Sequence, residues 1–436
     1  MQLPDPVDLD AVLAPCAPRG IDLGLERMKA ALAAGGHPEW GFPAVQVAGT
    51  NGKGSIATFL HAIFLAAGLR SGVYRSPHLQ SWCERIQLGQ CWVDGETLRA
   101  DLERWLPLAQ RHALTVFEFF TAAAMDRFAR ANLDVVVLEV GLGGRLDATT
   151  AHPDRRVVGF GPIGLDHQEI LGGTLAAVAA EKAGVMASGQ LAISAPQSPV
   201  VAQVLEHQAR LTGCELRWVD PLLGEKDGGP TLGLNGQFQR GNAAVALGMA
   251  QSLRKQGWPI AEEALTRGLL LARWPGRLER RTWNGREVLL DGAHNPSGGQ
   301  ALRRELDRID RRTTGAGLKG RRWLLAIQRT KDGPGLLDAL LAPADTAAIV
   351  SLPSLPCWSA DDLVAARPAL KGRLVALATP LEGLTWLTPS DGLPVIAGSL
   401  HLLGQIWPLL DPLEPQVSPP LGRSQAEGGT SGCGKD

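Results

Sequence analysis

The stretch Val47-Ala-Gly-Thr-Asn-Gly-Lys-Gly-Ser55 joins an apolar segment, 43–48, to a segment with the apolar spacing of a helix. Its three glycines let backbone N–H groups converge on one point, and the following helix adds the positive end of its dipole. Lys53 offers a charge to the outer phosphates of a nucleotide, and Ser55 offers a hydroxyl to Mg²⁺. The pattern predicts a phosphate-binding strand, loop and helix. Its candidate ATP-binding residues are Gly49, Thr50, Asn51, Gly52, Lys53, Gly54 and Ser55.

Composition limits the class of protein that this chain can form. With 436 residues, 45% of them hydrophobic, the chain can build two or three cores. The formal net charge of −1 gives no reason to expect a nucleic acid or an anionic membrane as a partner. The six cysteines lack C-x-x-C spacing, so neither a zinc site nor a disulfide framework is predicted. The acidic, proline-broken start and the lack of a long apolar run predict a soluble cytoplasmic protein, by default a monomer.

Strand-like and helix-like segments alternate along most of the chain, which indicates an α/β fold. An opening helix is predicted over residues 21–36. Pro275 and Gly276 interrupt the alternation, which then restarts. We therefore expect an N-terminal phosphate-loop domain with a mainly parallel sheet, 1–274, and a smaller Rossmann-like α/β domain, 275–413. The tail, 414–436, lacks apolar periodicity and is predicted to be disordered.

Two further residues suggest a metal site near the phosphate loop. Glu139 lies near the end of the apolar run 134–141, which is typical of a central parallel strand. A carboxylate there needs a cationic partner, and open α/β sheets gather ligands at the carboxyl ends of their strands, so Mg²⁺ is expected. His167 follows Asp166, which could orient a neutral imidazole that coordinates a metal.

The sequence of the loop, G-T-N-G-K-G-S, has a glycine between the lysine and the hydroxyl residue, unlike the commonest phosphate loop. It resembles the Mur-type amide ligases, and within them the folylpolyglutamate synthase and dihydrofolate synthase family. Further segments resemble the same family, over most of residues 20–410: S-P-H-L (76–79), T-V-F-E (115–118), G-L-G-G-R-L-D-A-T (141–149), L-D-H (165–167), W-P-G-R-L-E (274–279) and D-G-A-H-N-P (291–296). The segment 326–332, A-I-Q-R-T-K-D, departs from the D-K-D motif of the family, which puts in doubt any role assigned to it.

The resemblance implies functional residues beyond the loop. The implied metal ligands are Ser55, Ser76, Glu139, His167 and Lys182, with Lys182 carbamylated so that it serves the second of two Mg²⁺ ions. Implied ATP contacts are Asn242, Arg277 and Asp291. The candidate substrate contacts are His78, Thr115, Val116, Phe117, Glu118, Leu146, Asp147, Ala148, His294 and Ser399, with Phe117 able to stack on a flat pterin. Lys53, His167 and Lys182 are the candidate catalytic residues.

The resemblance implies an ATP- and Mg²⁺-dependent ligase that joins L-glutamate to a folate-type carboxylate through an acyl phosphate. It implies that the first domain, 1–274, binds ATP and the folate-type substrate and that the second, 275–413, binds glutamate. The sequence leaves open whether that substrate is dihydropteroate, a reduced folate or both. Two alternatives remain at this point. One is a Mur-type ligase that acts on another carboxylate, and the other is a phosphate-loop regulator that binds a nucleotide without dependence on glutamate.

Overall fold

The computed structural model describes residues 2–313, 320–353, 355–387 and 392–413. They form two α/β domains, each built around one sheet, as the sequence predicts. The first sheet takes its strands from residues 44–218 and the second from 279–412, so the predicted boundary at 274/275 falls between them. The predicted disorder of the tail concerns residues outside the described part of the chain.

The first sheet has eight strands in the order β4-β3-β2-β5-β1-β6-β7-β8. They are β1 (Ala44–Ala48), β2 (Ser71–Tyr74), β3 (Ile86–Leu88), β4 (Cys91–Trp92), β5 (Val135–Glu139), β6 (Arg155–Phe160), β7 (Leu191–Ser194) and β8 (Glu215–Trp218). Neighbouring strands from β2 to β8 are parallel, and β3 and β4 form an antiparallel edge. In the central pair, Val47 of β1 lies opposite Glu139 of β5, so Glu139 ends its strand beside the start of the phosphate loop.

Helices cover both faces of this sheet. They are α1 (Asp10–Leu13), α2 (Glu26–Ala34), α3 (Lys53–Ala66), α4 (Gly95–Arg111), α5 (Val116–Arg130), α6 (Gln168–Leu171), α7 (Leu175–Ala183), α8 (Pro199–Thr212), α9 (Phe238–Lys255) and α10 (Glu262–Leu271). Successive side chains of a strand point to opposite faces. Val136 and Leu138 accordingly pack with α2, α4 and α5, whereas Val135 and Val137 pack with α3, α9 and α10. Both faces of β5 are therefore buried, which explains its continuous apolar run.

The second sheet has seven strands in the order β13-β12-β11-β14-β10-β9-β15. They are β9 (Glu279–Trp283), β10 (Arg286–Leu290), β11 (Arg322–Leu325), β12 (Thr346–Val350), β13 (Leu374–Leu377), β14 (Val395–Ala397) and β15 (Asp411–Pro412). The strands from β13 to β10 are parallel, and β9 and β15 add an antiparallel edge that the sequence did not predict. The helices of this domain are α11 (Pro296–Thr313), α12 (Gly333–Leu340), α13 (Ala360–Ala366), α14 (Pro380–Leu387) and α15 (Leu400–Ile406).

The opening helix is shorter than predicted. The prediction of a helix over 21–36 was wrong at its first end, because α2 begins at Glu26 and ends at Ala34. Residues 20–23 instead form a loop that lines a cavity. Arg27 fixes this loop, since its Nη1 lies 2.6 Å from the Asp22 carboxylate and its Nη2 donates to the Asp22 carbonyl. Among the described helices, none is both long and apolar enough to cross a bilayer.

Candidate functional site

The phosphate loop lies between β1 and α3, in the conformation that its glycines permit. Gly49 and Gly52 have φ values of +143° and +79°, which side chains other than glycine rarely adopt. A Cβ atom on Gly52 would lie 2.3 Å from Oδ1 of Asn242, and one on Gly49 would lie 3.1 Å from the backbone of Gly161. Lys53 Nζ donates to the carbonyls of Gly49 and Thr50 at 3.1 and 3.2 Å. The loop is thus closed tightly around its own lysine.

A cavity of about 230 Å³ lies in front of the loop, with the second domain on its far side. Apart from Gly49, every residue predicted to bind ATP lines it: Thr50, Asn51, Gly52, Lys53, Gly54, Ser55, Asn242, Arg277 and Asp291. The five predicted metal ligands, Ser55, Ser76, Glu139, His167 and Lys182, line the same cavity. The structure therefore brings together side chains from both domains that are distant in sequence.

Glu139 is buried at the floor of this cavity, where three cations surround it. Burial raises the pKa of the Glu139 carboxyl, while the charges of Lys53, Arg75 and Arg277 act in the opposite direction. Arg75 is itself enclosed by two indole rings, with its guanidinium 4.5 Å from the ring of Trp274 and 5.6 Å from that of Trp92. The carboxylate that the sequence expected to meet a cation is thus surrounded by three cationic side chains of the protein.

Asp166 and His167 meet a lysine of the second domain that the sequence did not predict as a site residue. Lys331 Nζ lies 2.7 Å from Oδ1 of Asp166 and 2.9 Å from Nε2 of His167. Although burial acts to raise it, the pKa of Asp166 is lowered, because His294 and Lys331 stabilise the carboxylate. Burial and the charge of Lys331 lower the pKa of His167 to about 4. His167 is therefore a neutral imidazole at neutral pH, the form that binds metals.

Lys182 lies near the end of α7 and is 5% exposed. Burial, aided by the charge of Lys53, lowers the pKa of Lys182 to about 7. Near neutral pH, the Lys182 amine is then uncharged in a large fraction of the molecules, unlike the amine of a lysine on the surface. Such an amine can react with CO₂, so the environment suits the predicted carbamylation.

The donor set in the cavity fits a magnesium ion shared with phosphate. Within the described residues, no group of three His, Cys, Asp or Glu side chains converges as a self-sufficient metal cage. The candidate ligands are instead the carboxylate of Glu139, the hydroxyls of Ser55 and Ser76, and the imidazole of His167. Mg²⁺ is commonly held by one or two carboxylates together with water and substrate phosphates. The residues present therefore fit Mg²⁺ bound with a nucleotide.

A second cavity, of about 370 Å³, adjoins the first. Ser76, Pro77, Gly141, Leu142, His167, His294 and Leu400 line both, so a molecule in one can contact a molecule in the other. Most predicted substrate contacts line the second cavity, namely Thr115, Phe117, Glu118, Leu146, Asp147, Ala148, His294 and Ser399. His78 and Val116, which were also predicted to contact the substrate, do not line this cavity. Val116 packs against the hydrophobic core. His78 accepts a hydrogen bond at its Nδ1 from Nε of Arg85, at 3.1 Å.

Two acidic residues of this cavity use their carboxylates to hold the wall in place. Glu118 accepts from the N–H and hydroxyl of Thr115, at 2.8 Å each, and both of its oxygens accept from Arg27 Nε. Asp147 accepts from the backbone N–H groups of Gly141, Leu142 and Thr149. The T-V-F-E segment is thus a capping box, which its T-x-x-E spacing could have predicted.

Three residues at the site were not predicted individually: Arg85, Asn295 and Lys331. Each lies in a segment that the comparison with the family had singled out, namely 84–86 (E-R-I), 291–296 and 326–332. Arg85 and Lys331 line the larger cavity, and Asn295 contacts the phosphate loop. Asn295 pairs with Asn51 of the phosphate loop, and its Nδ2 donates to Asp166 at 3.1 Å. The contacts themselves depend on how the two domains meet.

Comparison with known proteins places this geometry in a family. Residues 277–356 match the model of the dihydrofolate synthetase C-terminal domain. Dihydrofolate synthase/folylpolyglutamate synthase of Bacillus subtilis is 35% identical over 312 residues, which are 65% of this chain and 72% of that protein. Folylpolyglutamate synthase of Arabidopsis thaliana is 36% identical over 286 residues, 59% of this chain, and the match spans about half of the plant protein, 49%.

A solved structure from Yersinia pestis extends the likeness to the whole fold. This bifunctional folylpolyglutamate synthase/dihydrofolate synthase was crystallised with AMPPNP and a Mn ion. It is 28% identical, superposes with a TM-score of 0.79, and the alignment covers 93% of this chain and 99% of that one. An ATP analogue and a Mn ion were thus bound in a protein of the same fold. This chain belongs to the folylpolyglutamate synthase and dihydrofolate synthase family of ATP-dependent ligases.

Proposed function

We propose that this enzyme forms an amide between L-glutamate and a folate-type carboxylate, either dihydropteroate or a reduced folate. The observation that carries the proposal is the wall shared by the two cavities. Ser76, His167 and His294 line both, so a γ-phosphate at the loop and a carboxylate in the larger cavity can meet there. This arrangement suits phosphoryl transfer to a carboxylate.

In the proposed reaction, a carboxylate oxygen of the folate-type substrate attacks the γ-phosphorus of ATP, and ADP leaves. The amino group of glutamate then attacks the acyl carbon, the N–H proton is released and inorganic phosphate departs. Lys53 stabilises the charge on the phosphates, and Arg277, just after the boundary between the domains, adds a second cation. Contact between the domains excludes water, which would otherwise hydrolyse the acyl phosphate.

Ser55, Ser76, Glu139 and His167 are the residues proposed to hold Mg²⁺, and carbamylated Lys182 would serve a second ion. Mg²⁺ bound there would neutralise charge on the phosphate oxygens. Phe117 offers an aromatic face to the pterin, with Leu146 and Ala148 completing the cavity wall. A monomer in the cytoplasm is part of this proposal.

The decisive experiment measures ADP release by purified protein with Mg²⁺, ATP and L-glutamate, using dihydropteroate in one reaction and tetrahydrofolate in another. Release in both reactions means a bifunctional synthase, and release in one names the single activity. Each product is identified by mass spectrometry, and a reaction without glutamate reports any ATP hydrolysis that is not coupled to ligation. Failure of both reactions would contradict the proposal and favour a different carboxylate substrate or a regulatory role.

A further inference from the structure

Arg85 projects into the larger cavity next to the turn Trp82–Arg85. Its guanidinium lies 4.3 Å from the ring of Trp82 and 5.5 Å from that of Phe120. Its Nε donates to Nδ1 of His78 at 3.1 Å. The aromatic rings and this hydrogen bond fix the side chain in one position, so the terminal nitrogens are presented to the cavity in a defined direction.

The adjacent carboxylate, on Glu84, acts on this charge from a distance but forms no ion pair with it. Glu84 accepts from three backbone N–H groups, those of Leu79 at 3.0 Å and of Gln80 and Ser81 at 2.7 Å each. These bonds hold the turn together and use the carboxylate oxygens. Within the part of the chain that the structure describes, no carboxylate lies within 4.0 Å of the Arg85 guanidinium nitrogens.

Arg85 differs in this respect from the other cations nearby. Lys331, which also lines the cavity, is paired with Asp166 at 2.7 Å. Arg27, on the opposite side, is paired with Glu118 at 2.8 Å. A guanidinium is always charged. Burial lowers the pKa of the Arg85 guanidinium, whereas the side chain of Tyr74 and the charge of Glu84 act to raise it. Neither of them forms an ion pair with Arg85 within 4.0 Å, so Arg85 can still bind a carboxylate that enters the cavity.

Arg85 also faces the second domain across the cavity. The ring of His401, in α15, lies 6.3 Å from that of His78, which receives the Arg85 hydrogen bond. Ser399 caps the start of α15 and lines the same cavity. The second domain is the side from which an amino acid would be presented in the proposed function. The available cation therefore lies where a carboxylate of that amino acid can reach it.

We propose that Arg85 is a specificity-determining residue that binds a carboxylate of the amino-acid substrate. This inference rests on the proposed ligation of glutamate. Glutamate carries an α-carboxylate and a side-chain carboxylate, and a guanidinium can bind either through two parallel hydrogen bonds. Selection of a dianionic amino acid over a monoanionic one would then depend on this single side chain.

The test compares Arg85→Gln and Arg85→Lys with the wild-type enzyme in full steady-state kinetics. Arg85→Gln should raise the KM for L-glutamate roughly 10- to 100-fold, the range expected for one charge-assisted interaction. The KM values for ATP and for the folate-type substrate should change less than about twofold. Arg85→Lys should recover part of the loss, because it restores the charge without the bidentate geometry. Arg254→Gln, at an exposed arginine paired with Glu262, is the matched control.

Two analogues distinguish the carboxylates. L-glutamine lacks the side-chain carboxylate, and L-isoglutamine lacks the α-carboxylate. If Arg85 binds the side chain, Arg85→Gln should use glutamate little better than glutamine, while the wild type keeps its preference for glutamate. If Arg85 binds the α-carboxylate, Arg85→Gln should instead lose the preference for glutamate over isoglutamine. An unchanged KM for glutamate, or a rise confined to the folate-type substrate, would overturn the inference. Absence of glutamate ligation by the wild type would instead refute the proposed function.

Discussion

Asn51 in the phosphate loop and Asn295 in the second domain exchange two side-chain amide hydrogen bonds, each 3.1 Å long. Nδ2 of Asn51 also donates to the Ser297 hydroxyl at 2.8 Å. The loop that is expected to bind ATP is thus joined directly to the domain that is expected to present the amino acid. The sequence predicted Asn51 as an ATP contact, and its amide also joins the domains.

We expect Asn51→Ala and Asn295→Ala each to lower kcat/KM for ATP about tenfold, because each removes both hydrogen bonds of the pair that joins the loop to the second domain. The double variant should lose little more than either single variant, since the same pair is removed in all three. A double-mutant cycle on steady-state kinetics measures this coupling. Additive losses would mean that the two amides act independently and that the pair does not connect loop and domain.

Lys53→Ala should abolish turnover without unfolding the protein. The loss in kcat should be at least about 10²- to 10³-fold, because no other side chain of the loop supplies a charge to the phosphates. ADP release measures activity, and thermal unfolding with circular dichroism measures the integrity of the fold. Lys29→Ala is the matched control, since Lys29 is 55% exposed and makes only a 3.5 Å pair with Glu26. Retained activity in Lys53→Ala would remove the assignment of the phosphate loop.

The sequence predicted the parts of the site that lie on single segments. The phosphate loop follows from its glycines, lysine and hydroxyl. Glu139 follows from the end of a buried parallel strand, and the register of β1 and β5 places it beside that loop. Local rules sufficed for these, because neighbouring parallel strands deliver their carboxyl ends to one edge of a sheet.

Contacts between the domains could not be predicted in the same way. The pairing of Lys331 with Asp166 joins residues 165 positions apart, and it depends on the angle at which the domains meet. No pattern within one segment encodes that angle. Glu118 is a different case: its T-x-x-E spacing carried a capping signal that the prediction did not use, and the predicted substrate contact of Glu118, which lines the larger cavity, stays a prediction.

Carbamylation of Lys182 can be tested by chemical rescue. The neutral amine would attack the carbon of CO₂, lose a proton and gain a carboxylate, and its pKa of about 7 makes that form abundant at pH 8. Lys182→Ala should lose about 10²-fold in kcat, and added acetate should restore part of the activity by supplying a free carboxylate. A carbamate signal in ¹³C NMR after equilibration with labelled bicarbonate gives an independent readout. Full activity of Lys182→Ala would end this hypothesis.

Acid stability should depend on His61, which is buried in α3 and lines neither cavity. Its ring nitrogens lie 2.8 Å from the Ser71 hydroxyl and 2.7 Å from the Gly89 carbonyl, and burial lowers its pKa to about 3. The unfolded chain therefore binds more protons than the folded one between about pH 6.5 and 3, so stability falls as pH decreases through this window. At pH 5, titration of His61 lowers the free energy of unfolding by about 2 kcal/mol relative to its value above pH 7.

Urea unfolding at a series of pH values measures this effect. His61→Gln should show a weaker decrease of unfolding free energy between pH 7 and pH 5, whatever its absolute stability, because the titrating group is absent. The comparison uses the slope against pH, so a general loss of packing does not obscure it. Equal slopes for the variant and the wild type would show that other groups dominate the acid response.

Arg27 should control the affinity for the folate-type substrate and leave the affinity for ATP unchanged. It binds Glu118, at the start of α5, and Asp22, in the loop 20–23, and that loop lines the larger cavity. Arg27→Ala should release the loop and raise the KM for the folate-type substrate about tenfold, with the KM for ATP unchanged. Arg27→Lys should recover part of this affinity by keeping one ion pair, which distinguishes positioning of the loop from general destabilisation. If both variants altered the KM for ATP and for the folate-type substrate equally, Arg27 would act through the whole domain, and the loop would not be its specific target.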